Sequence, residues 1–499
     1  MRQMSGLDNL FFDLESAGSP MILSTLDIYD TSTVNQGKVG FKDVIKVFES
    51  RFDRLTMLRQ KLKRVPLGVD YPYWVDDKNF DLQNHFHKLT LPKPGSWGQL
   101  MTLVSSMQNK PFNEDMPLWE AYVVEGLNGV DGVARGSFGL FIRMHHSFAD
   151  GSVTMALRQT IHDDSSTAEI TADAKVSPPG ESPGSFNLLA KAYRNGWLNS
   201  FKTGKALFNM LPSVGKLAVQ GVKGFSNSDL ALLAPAGPPD SLLNPKKMTK
   251  ERILDMRRFE YARVRSIRSL VEGSTFNDVA AAIMAGALNR YLRKRKETPK
   301  QGMTSMMSIN LRREGDADGG NIVSQMTIPI YVDIDDPVER LRLIRKASAK
   351  LKKEDIIGVQ RGMAEMLMAM PAIPLSPMLR IAGKVMGKFG IAQASTALSN
   401  VPSFMDARYL AGAKLTYLMG YGMLMPSVGL GNSVTIYDGW VMFGAVSCPE
   451  VMQSLDQYMQ CVEESFDEYA SLATATNSQS TKRSKSKKKV VRKKLRKTA

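Results

Sequence analysis

Gly136-Ser-Phe-Gly-Leu-Phe-Ile-Arg-Met-His-His-Ser-Phe-Ala-Asp-Gly151 is the stretch on which the reading of this chain turns. Its first nine residues are short, apolar and bounded by glycine, which predicts a strand. Beyond Gly151, Val153, Leu157 and Ile161 recur at i, i+4 and i+8, one face of a helix. His145, His146, Asp150 and Gly151 therefore stand at a strand-to-helix junction. The chain has only five histidines, His85, His87, His145, His146 and His162, and two of them are adjacent here. A neutral imidazole can take a proton near pH 7. Successive side chains on a strand point to opposite faces. Adjacent histidines cannot share one site unless the strand has already ended, so one is expected as a general base and the other as a packing or hydrogen-bonding residue. Asp150 and Gly151 are expected to form a tight turn whose carboxylate holds the local backbone. The bland alternative is a pair of satisfied core histidines with Asp150 as a helix cap.

At 499 residues the chain is too long for one core and suits two domains of roughly 200 residues each. Its apolar fraction of 43% and charged fraction of 23% are those of an ordinary globular protein. The two cysteines, Cys448 and Cys461, have neither metal-ligand spacing nor a disulfide framework, which suits a reducing, cytoplasmic compartment. Met1-Arg-Gln-Met-Ser-Gly-Leu-Asp lacks the apolar core of a signal peptide. No run of about 18 apolar residues is present to span a membrane. Residues 481–499 hold eleven Lys or Arg and no acid, so of the net charge of +16 only +5 belongs to the rest. This tail is expected to be a disordered arm. Solubility, attraction to anionic lipid or attraction to nucleic acid would each account for it. It has no aromatic residue to stack on bases, so nucleic acid is not the expected partner.

Residues 1–176 read as one α/β unit. Helices are expected at Phe41–Leu62 and Trp97–Met107, and a strand at Leu118–Val124. Ser177-Pro-Pro-Gly-Glu-Ser-Pro-Gly-Ser185 is a linker by composition. Residues 186–228 carry six Lys or Arg and no acid. Leu189, Tyr193, Trp197 and Phe201 interleave with them at helical spacing. A basic amphipathic helix pair of this kind can lie on a membrane surface, or pack on the protein as a crossover; residues 177–247 form that connection. A second unit covers 248–475, followed by the tail at 476–499. It should open with a strand at Arg257–Val264 and a helix at Phe276–Lys294. Strands follow at Met303–Leu311 and Met326–Val332, then helices at Pro337–Lys353 and Gly362–Gly390. Strands near Leu415–Leu418 and Ser433–Val446 close it. Methionines cluster at Met363, Met366, Met368, Met370, Met378 and Met386. They fit ordinary core or an adaptable, lipid-binding apolar surface.

Gly180-Glu-Ser-Pro-Gly184 matches the serine-hydrolase elbow only literally. It lies in a Pro-rich linker, and Pro183 lacks the N–H needed as oxyanion donor. No phosphate loop, dinucleotide fingerprint or metal-binding set is present.

The pattern His145-His146-x-x-x-Asp150-Gly151 resembles the active-site motif of the CoA-dependent acyltransferase superfamily. Trp74-x-Asp76 with Phe80-Asp-Leu82, His85 and Leu91-Pro resembles bacterial wax ester synthase/acyl-CoA:diacylglycerol acyltransferases. So do Pro117-Leu-Trp-Glu120, Glu125-Gly126, Phe276-Asn-Asp-Val279, Asn321 before Pro329, Ser399-Asn-Val-Pro402 and Tyr437-x-Gly439. The resemblance covers roughly residues 5–470. Ser403 and Ile436 depart from it, where Gly and Ser are usual.

The resemblance implies an α/β fold of two chloramphenicol-acetyltransferase-like domains, each a mixed β-sheet with helices. A long helical crossover would join them, with an active-site tunnel at their interface. It implies acyl transfer from long-chain acyl-CoA to a fatty alcohol or diacylglycerol, with acyl-CoA as substrate and no cofactor or metal. His146 would be the general base, His145 secondary and Asp150 structural, paired with an arginine. Gly151 would complete the turn, and no covalent acyl-enzyme would form. Asn277 is a candidate oxyanion donor, or the cap of the helix that starts near Asp278. Peripheral contact with the inner membrane face or lipid droplets is expected. The alternatives are a related acyltransferase with another acceptor, or a catalytically silent lipid-surface protein.

Overall fold

β2 (Ile22–Asp30) and β7 (Phe138–His145) lie side by side at the centre of a six-stranded sheet and are buried along almost their whole length. β7 is apolar over most of its length, while β2 mixes apolar residues with the buried polar side chains of Ser24, Thr25 and Asp27. In the computed structural model, the described residues are all except 16–18, 35–37, 150, 169–177, 181, 223–240, 298–300, 311–322, 352–361, 363–364, 390–391, 402 and 496–499. Asp150, Asn321, Met363 and Pro402 therefore lie outside the described residues, as does much of the connection between the halves.

The first sheet continues from β7 to β6 (Trp119–Glu125), and then to β5 (Phe86–Thr90), which runs parallel to β6. Its other side is completed from the distant C-terminal half by β13 (Ala413–Tyr421) and β12 (Tyr409–Leu410). The second sheet has the order β10 (Val323–Pro329), β9 (Thr304–Asn310), β11 (Thr396–Asn400), β14 (Leu430–Tyr437), β15 (Trp440–Ser447) and β8 (Ile253–Glu260). Here β11 runs parallel to both neighbours while the other pairs are antiparallel. A small sheet of β1 (Arg2–Gln3), β4 (Tyr73–Asp76) and β3 (Gln60–Lys63) flanks the first.

The helices in chain order are α1 (Gly6–Leu14), α2 (Phe41–Ser50), α3 (Trp97–Gln108), α4 (Gly151–Ile161), α5 (Ser185–Val222), α6 (Tyr261–Ile267), α7 (Phe276–Lys294), α8 (Pro337–Leu351), α9 (Ala372–Phe389) and α10 (Asp456–Leu495). α5 is the long helical crossover. Among the described residues, no helix is long and apolar enough to cross a membrane.

Several boundaries differ from the sequence reading for identifiable reasons. The helix expected at Phe41–Leu62 stops at Ser50; 3-10 turns follow at Phe52–Arg59, and Gln60–Lys63 pairs with β4 instead. The strand expected at Arg257–Val264 starts earlier, at Ile253, and gives way to α6 at Tyr261. The single strand expected at Ser433–Val446 is a hairpin. Asp438 and Gly439 turn it with φ of 44° and 79°, the two positive values a tight two-residue turn requires. α10 continues through the basic segment to Leu495, where a disordered arm was expected. No proline or glycine interrupts that run.

The two halves share backbone and core. β13 lies between β2 and the second sheet: Ser433 Oγ donates to the Gly420 carbonyl at 2.6 Å and Tyr437 Oη donates to Leu415 at 2.9 Å. On another flank α3 grips β8. Trp97 Nε1 donates to Asp255 Oδ1 at 2.8 Å, and Leu254 N–H to Ser105 Oγ at 3.0 Å.

Candidate active site

β7 ends at His145, and the change of direction there resolves the paired histidines. The His145 N–H donates to the Leu118 carbonyl at 3.0 Å, and the His146 N–H turns to Met21 at 2.8 Å. The His145 ring is buried and stacks on Phe12 at 4.2 Å. Its Nδ1 accepts the Ser147 N–H at 3.2 Å and lies 2.6 Å from Ser147 Oγ. An accepting Nδ1 leaves the proton on Nε2 in the neutral ring, and Nε2 faces Glu15 Oε2 at 3.4 Å. Burial would raise the Glu15 carboxyl. Its hydrogen bonds with the His145 ring and the Met21 N–H outweigh that and hold it below the usual range. His145 is thus a pin between the turn and the end of α1.

The His146 ring is half-buried and stacks on Phe11 at 3.9 Å. Phe11 packs against a small apolar cluster formed by both halves of the chain. α1 supplies Leu14 and the residue before β2 is Met21, while the second half supplies Met306, Ala394, Met425 and Val428. The methionines of the cluster that Phe11 packs on are not those that cluster in sequence. Met366, Met368 and Met370 are half-buried elsewhere, and Met378 is exposed.

The sequence landmarks turn out to brace the junction. Trp74 is fully buried and meets Phe148 edge-on at 5.2 Å. Asp76 pairs with Arg59 at 2.9 Å. Trp119 donates through Nε1 to the Leu58 carbonyl at 2.7 Å and stacks on His85 at 4.5 Å. Glu120 receives Arg143 through Nε at 3.0 Å and Nη2 at 2.8 Å. The Arg143 guanidinium also lies 4.4 Å over Phe112.

Gly151 opens α4, and that helix is nailed to the sheet from below. Arg158 donates to Asp27 of β2 at 2.8 and 3.3 Å, and to the Met419 carbonyl of β13 at 3.3 Å. Both charged groups are buried. Just past α4, His162 Nδ1 donates to the Arg158 carbonyl at 2.8 Å, so its Nε2 must accept from Tyr29 Oη at 2.8 Å. Burial pushes the His162 pKa down to about 3, and the charges of Arg158, Arg51 and Arg408 add to the effect. The folded state therefore binds fewer protons than the unfolded state between about pH 6.5 and pH 3. Stability should fall as pH drops through that window, by up to about 1.4 kcal/mol per pH unit. Urea titrations at several pH values should show this slope, and His162→Gln should flatten it.

Asn277 does not cap α7. Thr275 Oγ1 accepts the Asp278 N–H, and Asp278 returns the bond to Thr275 N–H at 2.8 Å. Asn277 is half-buried in the first turn, and its Oδ1 accepts from Asn400 Nδ2 at 2.9 Å. Two separate landmarks of the second half thus meet in one contact. That bond uses the Asn277 oxygen and turns its amide N–H₂ the other way. Among the described residues there is no cluster of side chains that could hold a metal ion. Both cysteines are buried; burial pushes Cys448 up to about 11 and Cys461 above its ordinary value, so neither is a thiolate near neutral pH.

The sequence reading missed α1, which brings Phe11, Phe12 and Glu15 to the histidines. Its signal was available: Ser5 and Asp8 form a capping box ahead of Leu7, Leu10, Phe11 and Leu14. α1 is held very close to its neighbours at Gly6. A Cβ there would lie 2.3 Å from the Leu367 carbonyl oxygen and 2.9 Å from Tyr71 Oη. Alanine normally favours a helix over glycine by about 1 kcal/mol. Gly6→Ala should instead push α1 and Phe11 off the histidine, lowering turnover by up to about 10²-fold. Steady-state kinetics beside an unchanged circular-dichroism spectrum would check this.

Two mixed sheets, the first completed by a strand from the second half, thus frame a turn that carries the paired histidines. The model of the wax ester synthase/diacylglycerol acyltransferase catalytic domain matches residues 4–280, and that of the C-terminal domain of the same family matches residues 319–470. The chain belongs to this family. A Mycobacterium tuberculosis protein provisionally named diacylglycerol O-acyltransferase is 26% identical over 88% of this chain and 90% of its own length. A second from the same organism, with a similarly provisional name, is 26% identical over 92% and 96%. Among solved structures, the wax ester synthase/diacylglycerol acyltransferase of Marinobacter aquaeolei superposes with a TM-score of 0.62 at 20% identity, covering 95% of this chain and 100% of that one. The starter condensation domain of rhizomide synthetase, in complex with C8-CoA and Leu-SNAC, gives 0.52 at 11% identity, covering 95% and 94%.

Proposed function

We propose that the protein transfers a long-chain acyl group from acyl-CoA to the hydroxyl of a fatty alcohol or of diacylglycerol. The observation that carries this reading is the position of His146. Its ring stacks on Phe11, which packs in turn against an apolar, methionine-bearing cluster drawn from both halves. Such a surface suits a flexible acyl chain beside a group able to take a proton. The names of the mycobacterial relatives favour diacylglycerol among the possible acceptors.

In this mechanism an alcohol oxygen attacks the thioester carbonyl while His146 takes its proton. A free alcohol is too weak an acid to ionise first, so proton removal accompanies attack. The tetrahedral oxyanion is met by the Asn277 amide N–H₂, an electrostatic contribution that needs a donor already in place. The intermediate collapses, the C–S bond breaks, and the imidazolium returns its proton to the CoA sulfur. His145 holds the turn. Asp150 is structural, and Gly151 lets the chain enter α4. The substrates meet in a tunnel between the halves, CoA from one side and acceptor from the other, and the enzyme works at the inner membrane face or a lipid droplet.

Thiol release from palmitoyl-CoA with hexadecanol or with diacylglycerol tests the proposal. Release that depends on either acceptor supports it, and the ratio of kcat/KM values names the main product. Failure with both acceptors would sink it.

A further inference from the structure

α5 carries an apolar stripe that stands exposed among the described residues. Leu188 and Ala192 turn inward and pack with Val65, Tyr73 and Val75. Asn195 fastens the same face, its amide reaching Asp70 and Tyr73 at 2.9 Å. On the outer side Phe186, Leu189, Tyr193, Trp197, Phe201 and Phe208 follow at helical spacing, Phe186 being 83% exposed and Trp197 66%. Their span is about 33 Å along the helix. Arg194, Lys202 and Lys205 are exposed among them, and α5 contains no acidic residue.

The neighbouring turn continues the pattern. Leu67, two residues from the Val65 that α5 packs on, is 93% exposed. It is also held at φ 60°, a conformation that a leucine rarely adopts. Such exposure leaves it little to gain from packing within the chain. Leu67 and Ile373 of α9 rim a cleft of about 550 Å³ whose lining includes Asn9 of α1. α1 is the helix whose Phe11 and Phe12 stack on the paired histidines.

We infer that the outer face of α5, with the Leu67 turn beside it, seats on an anionic lipid surface and brings the cleft beside α1 to that surface. Interleaved aromatic and basic residues without an acid match an apolar layer beneath negative headgroups. A second copy of the chain is a poor occupant, since a two-fold contact would set this basic face against itself. The basic segment 481–499 is excluded by the same charge argument.

The test is co-sedimentation of the full chain with vesicles of phosphatidylcholine, with and without phosphatidylglycerol. It needs no turnover, so its outcome is separate from that of the acyl-transfer reading. Wild type should bind the anionic vesicles, and more weakly at high salt. Trp197→Glu with Phe201→Glu should lower the partition coefficient at least about tenfold, because each aromatic ring loses its apolar burial. Leu67→Asp should weaken binding to a lesser degree. Circular dichroism should be unchanged in both variants. Activity toward a detergent-dispersed acceptor should persist while activity toward a vesicle-embedded acceptor falls. Equal vesicle binding by wild type and the double variant would overturn the inference and leave the basic tail as the membrane contact. A wild-type dimer that the double variant dissolves, with no vesicle binding by wild type, would overturn it in favour of self-association.

Discussion

Replacing His146 with alanine is expected to cut acyl transfer by about 10²–10⁴-fold, the usual contribution of a positioned general base. The loss should appear in kcat more than in KM, because proton removal matters in the transition state and not in binding. The fold should survive. His146 is half-buried and its backbone N–H bond to Met21 does not depend on the side chain. His145→Ala should behave differently. It removes the ring that accepts from Ser147 and faces Glu15, so it should lower the melting temperature as well as activity. If His146→Ala kept near-wild-type turnover while folded, the base would have to be sought elsewhere.

The second large effect is on stability. Asp27→Ala should destabilise the protein by about 3–5 kcal/mol, the usual cost of leaving one member of a buried ion pair without the other. Arg158 would remain buried in α4 with only the Met419 carbonyl of its described partners. Burial raises the Asp27 carboxyl above its usual range even with Arg158 beside it. The intact pair is therefore a constraint on geometry more than a source of stability. Asp27→Leu combined with Arg158→Met should recover much of the loss. Because the pair ties α4 to β2 and β13 together, the double variant should lose activity despite its recovered stability. Urea unfolding beside initial rates would separate the two effects.

How much of this was legible depended on how local each signal was. The β7–α4 junction was readable because glycine, an apolar run and an i, i+4, i+8 pattern fall within one short stretch. α7 was readable to the residue, from Phe276 to Lys294. The place of β13 was not readable. A strand's sequence says that one face is apolar, not that its partner lies nearly four hundred residues earlier, as Tyr421 and Ser24 do. The hairpin at Asp438-Gly439 had a turn signal that the apolar run around it obscured. The stack of Phe11 on His146 joins residues 135 apart. Likewise, the cluster of Met21, Met306 and Met425 exists only after three distant segments have met. Residue types at the junction were thus enough to propose a chemistry, while the apolar cluster proposed to receive a lipid required the fold.

Direct transfer, with no acyl-enzyme, can be read from CoA release by wild-type protein with and without acceptor. Thiol should be followed together with ester formation and intact-protein mass. One ester should form per CoA released, with negligible release without acceptor and no mass shift of the protein. Equal release in the absence of acceptor, or a protein heavier by one acyl group, would contradict direct transfer.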